Sequence, residues 1–223
     1  MQKKGFFITI EGPEGAGKST QLQKLAEYLE SIGATCVRTR EPGGTLLAED
    51  LRNVVKEYNG NEKVFPETEL LLMEAARSQH MNVLVLPALE EGKVVICDRF
   101  SDSTLAYQGY ARNLDMDIIE KLNLFASCNR VPDLTLLMDL TPEDGFARTR
   151  KRQETAGQFD RFEIEKIDFH QKVRNGFLTI AKDNPNRVKV VNAARSVEEI
   201  FADVKAIVDA ALLATDNYVK DVK

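Results

Sequence analysis

Cysteine is scarce in this chain, long apolar runs are missing, and positive charge is not in excess. Three cysteines, Cys36, Cys97 and Cys128, stand far apart in 223 residues. They are too few for a disulfide framework, and no C-x-x-C or Cys/His cluster suggests a metal. A reducing cytoplasm fits that usage. No stretch approaches the roughly 20 apolar residues that span a bilayer, so no membrane partner is expected. The N-terminal MQKKGFFITIEG has only a short apolar run before Glu11 and reads as a first strand, not a signal peptide. A net charge of −5 speaks against nucleic acid as a partner, because that binding needs many cations on one face. Any anionic ligand must be captured locally.

What is present is a chain that is 43% hydrophobic, enough for a sizeable core. Short β-rich runs alternate with longer stretches of helical period: FFITIE, ATCVRT from Ala34, KVVICD from Lys93, DLTLLMDL from Asp133 and RVKVV from Arg187. This is a repeated βαβ pattern, with continuous apolar strands of the kind buried under helices on both faces of a parallel sheet. Helices are predicted at Lys18–Ile32, ended by Gly33, and at Leu46–Lys56, Glu67–Leu86, Asp115–Cys128, Pro142–Arg152, Glu163–Asp183 and Val197–Leu213. Without a repeat or a linker, one domain is expected over 1–213, with a lid at about 148–163 and a flexible tail at 214–223.

Gly12-Pro13-Glu14-Gly15-Ala16-Gly17-Lys18-Ser19 matches G-x-x-x-x-G-K-[ST] and lies between a strand and a helix, the context that makes the motif credible. Glycines let backbone N–H groups converge on phosphate oxygens, the helix N-terminus adds partial positive charge, and Lys18 supplies a full one. Ser19 can ligate Mg²⁺. Asp98 and Arg99 follow a buried strand at the edge where open α/β sheets place ligands. Asp98 suits a metal or the attacking oxygen, and Arg99 a phosphate. On the residues alone, Asp98 could equally cap a helix. The run Arg148 to Arg152 holds four basic residues in five, followed after a polar stretch by Asp160-Arg161-Phe162-Glu163. It suits a lid that brings cations to a migrating phosphoryl group, or else a solvated helix end.

These residues resemble bacterial thymidylate kinase, a nucleoside-monophosphate kinase of the P-loop class. Besides the phosphate loop, the resemblance rests on Thr39-Arg40-Glu41-Pro42-Gly43-Gly44-Thr45, on Asp98-Arg99-Phe100 with Ser103-Thr104 and Ala106-Tyr107-Gln108-Gly109, and on Pro132-Asp133-Leu134-Thr135. It implies a five-stranded parallel sheet with helices on both faces and a short lid, a homodimer, and Mg²⁺-dependent transfer of the γ-phosphoryl of ATP to dTMP. It further implies that Gly12 to Thr20 and Arg148 hold ATP, and that Ser19, Asp98 and Glu14 serve the metal. Arg99 and Arg52 would grip the acceptor phosphate, Arg77 the thymine, and Ser103, Thr104 and Gln108 would line that pocket. Tyr107 would crowd the sugar, and Glu11 and Glu41 would join the acids near substrate. The family's other subtype has an arginine in the phosphate loop; this chain has Glu14 there. The catalytic set is therefore expected to be Lys18, Asp98, Arg99 and a lid cation from Arg161, Arg152 or Arg148. Met73 stands where many members have a phenylalanine stacking on thymine, which implies a looser base pocket, still able to touch a ring face through sulfur.

Overall fold

Each of the five apolar runs forms a strand: β1 (Phe6–Glu11), β2 (Cys36–Arg40), β3 (Val94–Asp98), β4 (Leu134–Asp139) and β5 (Val188–Asn192). All neighbours are parallel, in the order β2-β3-β1-β4-β5. The computed structural model describes residues 5–58, 60–156, 161–162 and 165–214, with backbone alone over 151–156. Most of the expected tail and the 157–160 and 163–164 parts of the expected lid lie outside these residues.

Alternation sends successive side chains to opposite faces. Phe6, Ile8 and Ile10 of β1, Val94 and Ile96 of β3, and Leu134, Leu136 and Met138 of β4 pack beneath α1 (Lys18–Ser31) and α9 (Val197–Ala214). Phe7, Val95 and Cys97 face the other way, against Met81, Val85 and Phe100. Leu137 meets Phe169, Val173 and Phe177 of α8 (Ile167–Asp183). Both faces are dry over β1, β3 and β4, which is why those strands read as unbroken apolar runs, whereas the edge strands β2 and β5 are partly exposed. Truncating Ile8, which is fully buried, to alanine would cost about 2–5 kcal/mol.

The helices follow their stripes, with four differences from the pattern, one being that the helix expected at Pro142–Arg152 runs on to Ala156. The segment expected at Glu67–Leu86 extends further, as α3 (Pro66–His80), a π-helical turn (Met81–Val85) and α4 (Leu86–Glu90). Pro87 cannot donate to the carbonyl four residues back and would crowd it, and the wider turn just before it relieves that conflict. A helix unanticipated from the pattern, α5 (Ser101–Thr104) with a π-helical continuation (Leu105–Ala111), follows Arg99 directly. Its polar start and Gly109 hide any apolar period. The helix expected from Glu163 begins only at Ile167. The remaining helices are α2 (Leu46–Glu57), α6 (Met116–Ala126) and α7 (Pro142–Ala156).

Register fixes where the loops meet. Ile10 of β1 and Arg40 of β2 both lie opposite Asp98 of β3. The phosphate loop, Asp98-Arg99 and Glu41 therefore emerge side by side at the carboxyl edge, around the central strand β1 where the chain switches direction across the sheet.

Candidate active site

The phosphate loop is built for a ligand. Gly12, Gly15 and Gly17 have φ of 134, 75 and 79°. A Cβ on Gly12 would come 2.4 Å from the Met138 carbonyl, whereas one on Gly17 would meet nothing within 4 Å. Gly12 is thus demanded by packing and Gly17 by backbone conformation, with open space beside it. Gly17 caps α1 without any side-chain hydrogen bond, so the first-turn amides stay available to an anion. Lys18 folds back over the loop, its Nζ donating to the Gly12 and Pro13 carbonyls at 3.1 and 2.8 Å. Burial, and next the Arg99 charge, bring the Lys18 ammonium down to about 8, against the pull of Glu14, Asp98 and Glu11. At the exposed rim the Ser19 hydroxyl donates to Asp98 Oδ2 at 2.8 Å. Two hard oxygen donors converge there, a set that suits Mg²⁺ bound mainly through phosphates and water.

Arg99 occupies the centre in a strained backbone, φ 70°, a conformation non-glycine residues rarely hold without a functional constraint. Its own N–H bonds the Ile10 carbonyl at 3.0 Å, and the next N–H, of Phe100, bonds Glu11 Oε1 at 2.7 Å. The guanidinium reaches the Gly12 carbonyl at 3.0 Å, Ser103 Oγ at 3.2 Å and Glu14 Oε1 at 2.6 Å, and lies 5.2 Å over the Tyr107 ring. Burial opposes its charge, but Glu14, Tyr107, Asp98 and Glu11 together keep Arg99 firmly protonated. Burial likewise opposes ionisation of Glu14, and Arg99, Lys18 and Lys56 overcome it, holding that carboxyl well below the usual range. Glu11 goes the other way. Burial, and next the charge of Asp102, push it up to about 8, although Ser103, Arg99 and the Phe100 amide favour its anion.

A second arginine, Arg77, is 3% exposed. Its Nε donates to Glu41 at 2.8 Å, Nη1 to Glu74 and Asn123 at 2.7 and 2.6 Å, and Nη2 to Thr104 at 3.0 Å. Among the described residues that uses four of the five guanidinium hydrogens, so one remains on Nη2 for a ligand. Glu41 also meets His80 Nδ1 at 2.9 Å, and the Arg77 guanidinium lies 5.0 Å over Phe100. Burial works against the Arg77 charge, and Glu41 and Glu74 more than restore it.

A cleft of about 970 Å³ joins these parts, near the upper end for small-ligand sites. Of the expected residues, Glu14, Gly15, Gly17, Lys18, Ser19, Thr20, Glu41, Arg52, Met73, Arg77, Asp98, Arg99, Ser103, Thr104, Tyr107 and Arg148 line it. Gly12, Pro13, Ala16 and Glu11 lie behind the wall. Gln108 is buried and turned to Glu69, 2.6 Å away. Glu14 is turned to Arg99. Arg52 donates to the Pro42 carbonyl at 2.7 Å. Arg148, exposed, reaches the Gly15 carbonyl at 3.4 Å. The side chain of Arg152 lies outside the described residues. Arg161 is outside the lining, its guanidinium bonded to the Val55 carbonyl at 3.0 Å and to Glu69 at 2.5 Å. Its neighbour Phe162 lines the cleft instead, together with Arg40, Pro42 and Phe100, which belong to the blocks that carry the resemblance, and with Lys56, Glu57 and Thr149. Phe162 sits in the Asp-Arg-Phe-Glu block that drew attention to Arg161, so the signal was present one residue away. Lys56 and Glu57 carry no motif of their own.

A family model described as thymidylate kinase matches residues 10–204. The chain is 48% identical over 197 residues to the thymidylate kinase of Desulfosudis oleivorans, covering 87% of this chain and 92% of that one. It is 45% identical over 202 residues to that of Clostridium novyi, covering 91% and 97%. The crystal structure of thymidylate kinase from Ehrlichia chaffeensis superposes with a TM-score of 0.75 at 35% identity, covering 92% of this chain and 99% of that one.

Proposed function

The chain belongs to the thymidylate kinase family, and on that premise we propose how its cleft divides between two nucleotides. The reaction is transfer of the γ-phosphoryl of ATP to dTMP, giving dTDP, a step in nucleotide synthesis, with Mg²⁺. ATP enters over the phosphate loop, its phosphates received by the amides from Gly15 to Thr20 and by Lys18. The dTMP phosphate meets Arg99, with Arg52 at the rim, and thymine reaches the remaining Nη2 hydrogen of Arg77 beside Met73. Glu14 and Tyr107 flank the sugar between them. Gln108 serves that pocket from the layer behind, through Glu69.

The observation that carries this division is Arg99. Its strained backbone aims a protonated guanidinium at the mouth of the phosphate loop, leaving a second cavity wall on its far side. Little covalent work falls to the protein: an anionic acceptor is held against the terminal phosphoryl group and the surrounding cations neutralise the charge that spreads over it. Ser19 and Asp98 would hold Mg²⁺, which supplies further neutralisation of the β- and γ-phosphates. Asp98 orients and does not need to remove a proton. Among the lid arginines with described side chains, Arg148 lines the cleft and touches the phosphate loop, which supports it as the cation for the migrating group.

The active unit is a homodimer in the cytoplasm. Leu71 on α3 and Ile118, Leu124 and Phe125 on α6 are exposed, Phe125 to 80%, on helices that pack against each other. Such an apolar patch calls for a partner, and a second copy supplies the same patch by two-fold symmetry. Cys36, Cys97 and Cys128 are all unpaired thiols, as a reducing compartment keeps them, and no helix among the described residues is long and apolar enough to cross a membrane.

Purified protein mixed with Mg²⁺-ATP and each nucleoside monophosphate in turn should form ADP fastest with dTMP. The substrate assignment is lost if dTMP is no better an acceptor than dCMP or dGMP.

A further inference from the structure

Glu69 is 1% exposed, at the start of α3, and four donor contacts converge on its carboxylate. Gln108 Nε2 donates at 2.6 Å, Arg112 through Nε and Nη2 at 3.4 and 3.3 Å, and Arg161 Nη2 at 2.5 Å. A buried carboxylate needs such partners, and each partner is fixed by it in turn. Arg161 is tied further: its backbone N–H bonds the Lys56 carbonyl at 3.3 Å and its Nε the Val55 carbonyl at 3.0 Å. These are carbonyls of the last turn of α2, which the helix leaves without internal donors. Because Arg161 faces Glu69, the adjacent Phe162 faces the cleft. Phe162 is 5% exposed, and its ring meets Tyr107 edge-to-face at 5.8 Å. Tyr107 in turn lies beneath the Arg99 guanidinium at 5.2 Å.

We propose that Glu69 and Arg161 form an anchor that holds Phe162 as part of the acceptor wall, so that Arg161 is a positioning residue and not the cation at the transferred phosphoryl group. The inference rests on the assignment of dTMP to the Arg99 side of the cleft. An arginine that met the migrating phosphate would have to give up its side-chain bonds to the Val55 carbonyl and to Glu69, a buried carboxylate that would then rely on Gln108 and Arg112. Arg148 faces no such penalty, since it is exposed and, among the described residues, held by one contact at 3.4 Å.

The test is steady-state kinetics with equilibrium binding of dTMP, on the full chain. Arg161→Ala should raise KM for dTMP and weaken dTMP binding roughly tenfold, with kcat within about threefold of the parent. Glu69→Gln should do the same, and the double variant should be no worse than the poorer single one, because both remove one contact. Phe162→Ala should reproduce the binding loss with the ion pair intact. Arg161→Lys keeps the charge without the fork and should restore binding only in part. A transition-state cation would give the opposite result: Arg161→Ala would lower kcat by ~10³ with dTMP binding unchanged, and Glu69→Gln would leave kcat and KM alone. Either outcome overturns the anchor. If Glu69→Gln does not fold, the Arg161 and Phe162 variants still decide. An unmodified chain that fails to phosphorylate dTMP overturns the parent assignment instead, so the two failures are told apart.

Discussion

The two halves of the cleft hold their arginines in opposite ways. On the acceptor side Arg77 and Arg99 are buried or nearly so, and among the described residues four of the five guanidinium hydrogens of Arg77 and three of those of Arg99 have a protein partner. On the donor side Ser19, Thr20 and Arg148 are exposed, and among the described residues Arg148 makes one long contact. The difference follows from what each half must do. Distinguishing one base from another needs donors fixed before the ligand arrives, in a dry site where a mismatch leaves a polar group unpaired. Stabilising charge that develops only during transfer needs cations that can approach once both nucleotides are bound. Rigidity is thus concentrated where selection occurs.

The sharpest way to break this contrast is to remove its central residue. Arg99→Ala should lower turnover by ~10³ or more while leaving ATP binding largely intact; equal loss of both would mean the acceptor site is misplaced. A smaller effect, confined to the donor side, should come from the contact between the phosphate loop and α7. A Cβ on Gly145 would stand 2.5 Å from the Glu14 carbonyl, and one on Gly15 2.5 Å from the Gly145 carbonyl. In an ordinary helix Gly→Ala stabilises by about 1 kcal/mol. Here Gly145→Ala must push α7 off the loop, raising KM for ATP roughly tenfold with KM for dTMP unchanged, and lowering the melting temperature. A higher melting temperature with unaltered KM values would show that the two segments do not need to touch.

The smallest effect concerns the scaffold under Arg99. Burial and Asp102 raise Glu11 from 4.5 to about 8. A carboxyl whose folded pKa lies above its unfolded value supports the fold fully at pH below about 4.5, and that support is lost as pH rises through about 8. Glu11→Gln can still accept from the Phe100 and Ser103 amides but carries no titrating proton. Melting temperature should therefore fall between pH 5 and 8 by a few degrees more in the parent than in this variant. Parallel curves would remove Glu11 from the account.

Much of this arrangement was legible in the residues. All five strands fall on the β-rich runs; β1, β3 and β4 are buried on two faces and cannot hide their composition, while the edge strands β2 and β5 are partly exposed, and the phosphate loop is found by its glycines and Lys18 alone. The helix from Ser101 to Ala111 was not legible, since Glu11 on another strand caps its start, accepting from Phe100 and Ser103. No local pattern encodes that. The direction of Arg161 was equally hidden. Asp-Arg-Phe-Glu places an arginine and a phenylalanine together, but which of them faces the cleft depends on Glu69, some ninety residues earlier in the chain. Sequence spacing predicts neighbours along a helix or strand; it says little about contacts made across the fold.

The central claim is that two nucleotides occupy the cleft at once, one on each side of Arg99. Calorimetric titration of dTMP into protein saturated with a non-hydrolysable ATP analogue and Mg²⁺ tests it directly. One dTMP should bind per chain with an affinity at least equal to that of the analogue-free protein. Loss of dTMP binding in the presence of the analogue would mean a single shared berth and would contradict the account.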